Sequence, residues 1–287
     1  MKIKKKWLVI FLLPATLIFA LVYAVPVVML TATSFTDWVA VSSPHFNGID
    51  NYIKLFQNSQ FLHATVNTLI WMVLQSTVHI FIGVLTALIL ARKSLLEIYA
   101  YRLHVPQYYF QRGNRYAVRY AFESFLRIVN KGLEALGFQN LPNWFSNSST
   151  AFFAVTITWL PFAATVTILV MAEMTSLDVS ILEAAKVDGA TEFQTTIRII
   201  LPLMKNIIGT TTVLGATSML QKLDILMMTT KGGPGDVTLN LPYFVYNTAF
   251  SAKQFGLANS VGVLMIIMGL IVVGIINRIY RIGKQDD

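Results

Sequence analysis

The sequence predicts an all-α, polytopic membrane protein. Of its 287 residues, 55% are hydrophobic and only 13% are charged, whereas soluble domains carry about 25% charged residues. Several apolar runs approach or exceed the roughly 18–20 residues that cross a bilayer as a helix. These observations exclude a water-soluble globule, and they exclude a disordered chain because disorder requires low hydrophobicity. The absence of cysteine also excludes disulfides, thiolate catalysis and cysteine-bound zinc or iron–sulfur clusters.

Five apolar runs are clear transmembrane segments, and basic residues set their orientation. The first run is longer than the apolar core of a signal peptide, which is about 7–15 residues. Four lysines precede it, and Arg278, Arg281 and Lys284 follow the last run. This distribution predicts a multi-pass protein of the cell (inner) membrane with both termini in the cytoplasm. The net charge of +8 then reflects membrane anchors and no nucleic-acid partner. The five runs are residues 7–30, 68–90, 151–174, 207–228 and 257–276.

Residues 101–130 occupy the only space for a sixth span, yet they are too polar for one. Two cytoplasmic termini require an even number of spans. The segment holds five arginines, each costing about 2.5–3.5 kcal/mol at the centre of a membrane helix. One explanation is a genuine amphipathic segment that lies in the interface or faces a polar cavity. The other is a pair of compensating frame errors near Arg102 and Arg127, because the codons of residues 103–126, read one nucleotide later, can spell an apolar span. The intended architecture is six helices, five clear and the third anomalous.

The mixed, charged stretch at residues 175–206 predicts two short helices joined by a turn. Ser180-x-x-Glu183 and Thr191-x-x-Gln194 both fit the capping box that opens a helix. Asp188-Gly189 is a strong turn signal, and Pro202 marks the entry to the next span. Alanines at 184, 185 and 190 allow another surface to approach closely. A cytoplasmic helical hairpin of this kind is either a docking element or an ordinary amphipathic loop.

The same stretch resembles the EAA signature of ABC-importer permeases. Glu183-Ala184-Ala185 is followed after three residues by Gly189, after nine more by Ile199, and then by Leu201-Pro202. Residues 34–38, 46–56, 67–68 and 230–235 are similar to the carbohydrate-uptake branch of that family. The resemblance covers nearly the whole chain except residues 101–130, where the family has an apolar third span. It implies that the stretch couples the permease to the ATPase through Glu183, Ala184, Ala185, Asp188, Gly189 and Pro202.

The resemblance also implies a fold, a function and a set of partners. The fold is that of a type I ABC-importer permease, with a cytoplasmic N-terminus and first helix at 1–30 and a permease core at 31–287. The expected partners are a second, homologous but different permease chain, a dimer of ATP-binding subunits, an extracellular or periplasmic solute-binding protein, and membrane lipid. No Walker A motif is present in the sequence, so ATP and magnesium are expected on the ATPase subunits. This chain is not expected to be an enzyme, and it is not expected to hold a cofactor or a metal.

The expected cargo is a sugar or oligosaccharide that crosses by alternating access. One alternative is a permease of the same type for another solute, such as glycerol 3-phosphate. Another is an ion-coupled secondary transporter, which would work alone and show inverted repeats. Polar groups within or at the ends of spans are candidates for the substrate path, although interhelical hydrogen bonding also explains them. These candidates are Gln75, Thr211, Thr212, Ser218 and Gln221.

Overall fold

The computed structural model describes residues 5–91, 115–139 and 141–281, and all regular structure within these ranges is helical. Two isolated β-bridges, Thr36–Phe46 and Val39–Gln254, are the exceptions. The predicted all-α class is confirmed. The helices are α1 (Lys5–Phe19, a π-helical turn over Ala20–Ala24, and Val25–Thr33), α2 (Asp50–Gln57), α3 (Ser59–Leu74, a π-helical turn over Gln75–His79, and Ile80–Ala91), α4 (Arg115–Ala135), α5 (Ala151–Thr158), α6 (Phe162–Met174), α7 (Val179–Val187), α8 (Glu192–Thr195, Thr196–Ile200 and Leu201–Leu203), α9 (Lys205–Ser218), α10 (Asp224–Met228), α11 (Leu241–Tyr246, continued by Asn247–Ser251) and α12 (Phe255–Tyr280).

Four helical stretches in the described ranges are long and apolar enough to cross a membrane: Phe11–Thr33, Ser59–Ala91, Ala151–Met174 and Phe255–Tyr280. The third has the predicted bounds. The second begins nine residues before the predicted start at residue 68, because Asn58 caps it: the Phe61 amide donates to Asn58 Oδ1 at 3.1 Å. An N-cap of this kind starts a helix irrespective of hydropathy.

The predicted span at 207–228 is replaced by a bent pair of helices. Helices α8 and α9 are together long and apolar enough to cross a membrane once, but the two helix axes are bent by 65° relative to each other. The apolar helix ends at Ser218, a 3₁₀ turn covers Met219–Gln221, and α10 is separate. The predicted end at residue 228 is therefore wrong. The chain turns at Lys222, whose carbonyl oxygen accepts a hydrogen bond from Asn240 Nδ2 at 2.7 Å and so takes no part in a continuing helix.

Half of the anomalous segment lies outside the described residues, which resume at Arg115. From there α4 forms a strongly amphipathic helix that is not among the span-capable helices of the described ranges. Its Asn130 accepts a hydrogen bond from Trp144 Nε1 at 2.7 Å, and Arg127 is exposed. The frame-error explanation stays a prediction, which the nucleotide sequence across codons 98–132 tests.

The chain divides into two compact units, and the predicted boundary at residue 30 stays a prediction. The first unit contains Met1–Leu62 and Phe244–Ile267. Its centre is the residue that follows α1: the Ser34 carbonyl oxygen accepts hydrogen bonds from Asn51 Nδ2 at 2.8 Å and from Ser260 Oγ at 2.9 Å. These bonds tie the end of α1 to α2 and to the first turns of α12.

The second unit contains His63–Tyr243 and Met268–Asp287, and its core is the contact between the second half of α3 and α6. Gly83 allows this contact, because a Cβ there would lie 2.5 Å from the Val166 Cβ. Thr167 Oγ1 donates to the Gly83 carbonyl oxygen at 3.0 Å across the same contact. The buried members of the core are Ile80, Ala87, Val166, Val170 and Met204.

Candidate functional site

The first candidate site is the helical hairpin formed by α7 and α8. The predicted capping box at Ser180 and Glu183 is wrong, because α7 begins two residues earlier. Asp178 is the N-cap, and its Oδ1 accepts a hydrogen bond from the Ser180 amide at 2.9 Å. The carboxylate also faces the positive end of the helix dipole. Hydrogen bonding to Ser180 lowers the pKa of Asp178 below the ordinary value of 3.8. The Ser180 amide has the larger effect and the Ser180 side chain the smaller one.

The turn between the two helices is where the sequence predicts it. Gly189 has φ +77°, a left-handed conformation that a side chain disfavours. The Gly189 amide donates to the Lys186 carbonyl oxygen, and the Ala190 amide donates to the Ala185 carbonyl oxygen, each at 3.0 Å. This pair of bonds is the Schellman motif that satisfies the last carbonyls of a helix.

Helix α8 opens with the predicted capping box at Thr191. The Gln194 amide donates to Thr191 Oγ1 at 3.3 Å, and the Thr191 amide donates to Gln194 Oε1 at 2.9 Å. Pro202 lies in the last turn of α8, ahead of the bend. The bend itself is at Met204, two residues later, where the backbone leaves the helical conformation with φ −87° and ψ 4°.

The hairpin presents a mixed surface. Glu183 and Ala184 are exposed, whereas Ala185 is buried at the end of α7. Large apolar side chains are also exposed: Val187 by 87% and Phe193 by 71%. A surface that combines a carboxylate with bare apolar side chains is suited to contact with another protein.

The second candidate site is a cavity of about 300 Å³ between α6 and α9. It gathers three of the predicted path residues, Thr211, Ser218 and Gln221, while Gln75 and Thr212 do not line it. No charged side chain is among the lining residues. The complete lining is Phe162, Thr165, Val166, Leu169, Thr211, Leu214, Thr217, Ser218 and Gln221.

Gln75 nevertheless lies close to the wall of this cavity. A Cβ at Gly215 of α9 would be 3.3 Å from both the Gln75 carbonyl oxygen and the Phe162 ring. The Gln75 side chain is fully buried in the π-helical turn of α3, and neither of its amide atoms has a hydrogen-bond partner. His79, in the same turn, is also buried, with Nδ1 at 3.2 Å from the Leu74 carbonyl oxygen.

The sequence prediction missed Phe162, Thr165 and Thr217. A helical pattern could have found them. Phe162, Thr165 and Leu169 are spaced i, i+3 and i+7 along α6, and the cavity residues of α9 follow the same face. Thr212 is buried outside the cavity, and its hydroxyl donates to the Ile208 carbonyl oxygen at 2.7 Å.

Comparison with known proteins gives relatives over almost the full chain, although no family model matches. The sulfoquinovosyl glycerol transport system permease protein SmoG of Agrobacterium fabrum is 29% identical over 95% of this chain and 90% of its own length. The diacetylchitobiose uptake system permease protein NgcF of Streptomyces coelicolor is 28% identical over 94% of this chain and 81% of its own length.

The solved structures agree at the level of the fold. A chain of a bacterial alginate ABC transporter, crystallised in complex with an alginate pentasaccharide-bound periplasmic protein, matches with a TM-score of 0.80 and 21% identity. The match covers 98% of this chain and 97% of that chain. A chain of the MetNI methionine ABC transporter matches with a TM-score of 0.55 and 16% identity, over 77% of this chain and 94% of that one. Spans, fold and relatives together show that this chain is similar to the permease subunits of ABC importers, as the sequence predicts.

Proposed function

We propose that this permease carries a neutral sugar or oligosaccharide through the cavity between α6 and α9. The cavity combines an aromatic ring, Phe162, with the hydroxyls of Thr165, Thr217 and Ser218 and the amide of Gln221. Sugars offer apolar ring faces and many hydroxyls, so an aromatic surface edged by hydrogen-bonding groups suits them. The names of SmoG, NgcF and the alginate transporter all refer to carbohydrates, two of them acidic, so they support a carbohydrate cargo, and the uncharged lining alone favours a neutral one.

The uncharged lining argues against the alternative cargo. A phosphate ester such as glycerol 3-phosphate brings negative charge, which proteins meet with arginine, lysine or helix N-termini. The lining residues supply no basic group. An ion-coupled secondary transporter is also disfavoured, because the relatives over nearly the full chain are permeases of transport systems.

The energy for transport comes from partner subunits in this proposal. A dimer of ATP-binding subunits holds ATP and magnesium and contacts the hairpin, with Glu183, Ala184, Ala185, Asp188, Gly189 and Pro202 forming or shaping the coupling element. A homologous second permease completes the passage, and an extracellular or periplasmic solute-binding protein delivers the sugar. Both termini and the hairpin then lie in the cytoplasm.

The chain offers a direct mechanical route from the hairpin to the cavity. Helix α8 is one arm of the hairpin, and it continues through the 65° bend into α9. The residue at the bend, Met204, is fully buried in the core beside Val170. Because α9 also supplies Thr211, Thr217 and Ser218 to the cavity, displacement of the hairpin would move one wall of the cavity.

A matched pair of threonines on α9 tests the cavity assignment. Thr217 lines the cavity, whereas Thr210 is exposed elsewhere on α9, and each hydroxyl donates to the carbonyl four residues earlier at 2.8 Å. Replacement by valine keeps the shape and removes the hydroxyl. For Thr217→Val we expect the sugar concentration for half-maximal uptake to rise about 3- to 10-fold, the effect of one lost hydrogen bond.

The measurement is uptake of labelled sugars by the assembled transporter in vesicles, with Thr210→Val as the control. Equal sugar dependence for both variants would refute the cavity assignment. Uptake that continues without the ATP-binding subunits would instead support a secondary transporter.

A further inference from the structure

Helix α2 has three distinct faces, whereas an amphipathic helix on a water-exposed surface has two, one buried and one polar. Asn51 and Leu55 are buried against the first compact unit. Asp50 and Lys54 are exposed and form a polar face. Between these faces runs an exposed apolar stripe, composed of Ile49, Ile53 and Phe56, which are 61%, 47% and 59% exposed. Ile53 and Phe56 are three residues apart and share one side of α2, and Ile49 is the residue directly before the helix.

Hydrogen bonds hold the start of α2 against the end of a membrane span. Asn51 Nδ2 donates to the carbonyl oxygens of Ser34 and Thr36, each at 2.8 Å. The Tyr52 hydroxyl lies 2.7 Å from Ser34 Oγ. Ser34 directly follows the last residue of the span Phe11–Thr33. The depth of α2 in the membrane is therefore tied to the end of α1.

The other end of α2 is attached to the next span by a single residue. Helix α2 ends at Gln57, Asn58 caps α3, and the span-capable helix begins at Ser59. One extended residue covers only about 3.5 Å. The start of α2 is thus held at the end of the first span, and its last residue lies one residue before the start of α3.

We propose that α2 lies in the lipid–water interface, with the stripe of Ile49, Ile53 and Phe56 inserted at the boundary between headgroups and acyl chains. An amphipathic helix with one apolar face and one charged face takes this position. Lipid is favoured over a protein partner because the span to which α2 is tied is itself apolar and exposed near its end. Val28 and Met29, in the last turns of α1, are 65% and 61% exposed just before the level at which α2 is held.

The absence of native cysteine makes the test direct. Single-cysteine chains carrying Ile53→Cys or Lys54→Cys are labelled with a nitroxide and reconstituted in vesicles of phosphatidylethanolamine and phosphatidylglycerol. Collision rates with molecular oxygen, which concentrates in lipid, and with a water-soluble nickel chelate are then measured. We expect the label at position 53 to meet oxygen several-fold more often than nickel, and the label at position 54 to show the opposite preference.

Equal access of the nickel chelate to positions 53 and 54 overturns the proposal. Protection of position 53 that arises only when the solute-binding protein is added overturns it as well, because the occupant is then a protein. Where Ile53→Cys fails to yield folded chain, judged by gel filtration, Phe56→Cys on the same stripe gives the decisive measurement.

Discussion

The helix contact between α3 and α6 and the hairpin of α7 and α8 are stabilised in different ways. The first depends on residues far apart in sequence: Gly83 receives Val166, and Thr167 donates to the Gly83 carbonyl oxygen at 3.0 Å. The second depends on neighbours in sequence, through the Asp178 cap, the Gly189 turn and the capping box of Thr191 and Gln194.

Local contacts therefore determine the shape of the hairpin, and long-range contacts determine the positions of the core helices. Local caps fix the form of the hairpin irrespective of what surrounds it, so it can be presented to another protein as a preformed unit. Long-range packing fixes where the helices of the core lie, so any change there spreads to its neighbours because protein interiors are densely packed. The two regions should therefore respond differently to substitution.

The largest expected effect comes from filling the core contact. Gly83→Leu places a side chain where even a Cβ would lie 2.5 Å from the Val166 Cβ and 2.8 Å from the Ala163 carbonyl oxygen. Overpacking costs about 1–3 kcal/mol or more, and here backbone must also shift. We expect little monodisperse protein by fluorescence-detected gel filtration.

Gly274→Leu is the control for this substitution, because a Cβ at Gly274 of α12 meets no atom within 4 Å. A Gly83→Leu chain with the melting temperature of the Gly274→Leu chain would show that the contact is loose.

The next effect is the loss of uptake without loss of protein. Gly189 has φ +77° and open space around its Cβ position, so Gly189→Val strains the turn, at a cost of about 1–2 kcal/mol, without a clash. If the hairpin couples transport to ATP, we expect uptake to fall to background while the amount of permease in the membrane is unchanged by immunoblot.

Gly48→Val is the matched control, because Gly48 has φ +65° and equally open surroundings. Normal uptake by the Gly189→Val chain would remove the basis for the coupling assignment.

A smaller effect is expected from removing one cap. Thr191→Val keeps the side-chain shape but leaves the Gln194 amide without its acceptor, at a cost of about 1 kcal/mol. Hydrogen exchange of that amide should accelerate about fivefold. Thr195→Val serves as the comparison, since its hydroxyl donates to the Thr191 carbonyl oxygen at 3.1 Å and caps no amide. Unchanged exchange at Gln194 would mean that the capping box does not hold the helix start.

The smallest effect is the pH dependence of the α7 cap. The Ser180 hydrogen bonds lower the pKa of Asp178 in the folded chain below 3.8. The ionised cap therefore stabilises α7 fully above the unfolded pKa, and this contribution is lost as pH falls through the folded pKa. After correction for intrinsic rates, Ser180 amide protection should decline below about pH 4. In Asp178→Asn it should not, and parallel profiles would contradict the assignment.

The local features were predictable and the long-range ones were not. Gly189 and the Thr191–Gln194 box follow from short patterns, and the hairpin formed there. The predicted cap at Ser180 is wrong, because Asp178, two residues earlier, caps α7. The early start of α3 also has a local cause, the Asn58 cap, which hydropathy does not report. By contrast, the turn at Lys222, which is bonded to Asn240, and the joining of Thr217 to Phe162 in one cavity depend on partners distant in sequence.

Every residue between the two helices of the hairpin takes part in ending one helix or starting the other. Ala190 completes the Schellman motif of α7, and Thr191 already caps α8. One inserted residue at this point would turn α8 by about 100° around its axis, since a helix advances 3.6 residues per turn. The side chains now facing the core would then face outward. Chain length at this junction is therefore as strict a requirement as residue identity, and alanine or serine insertions here would be far more damaging than substitutions by the same residues.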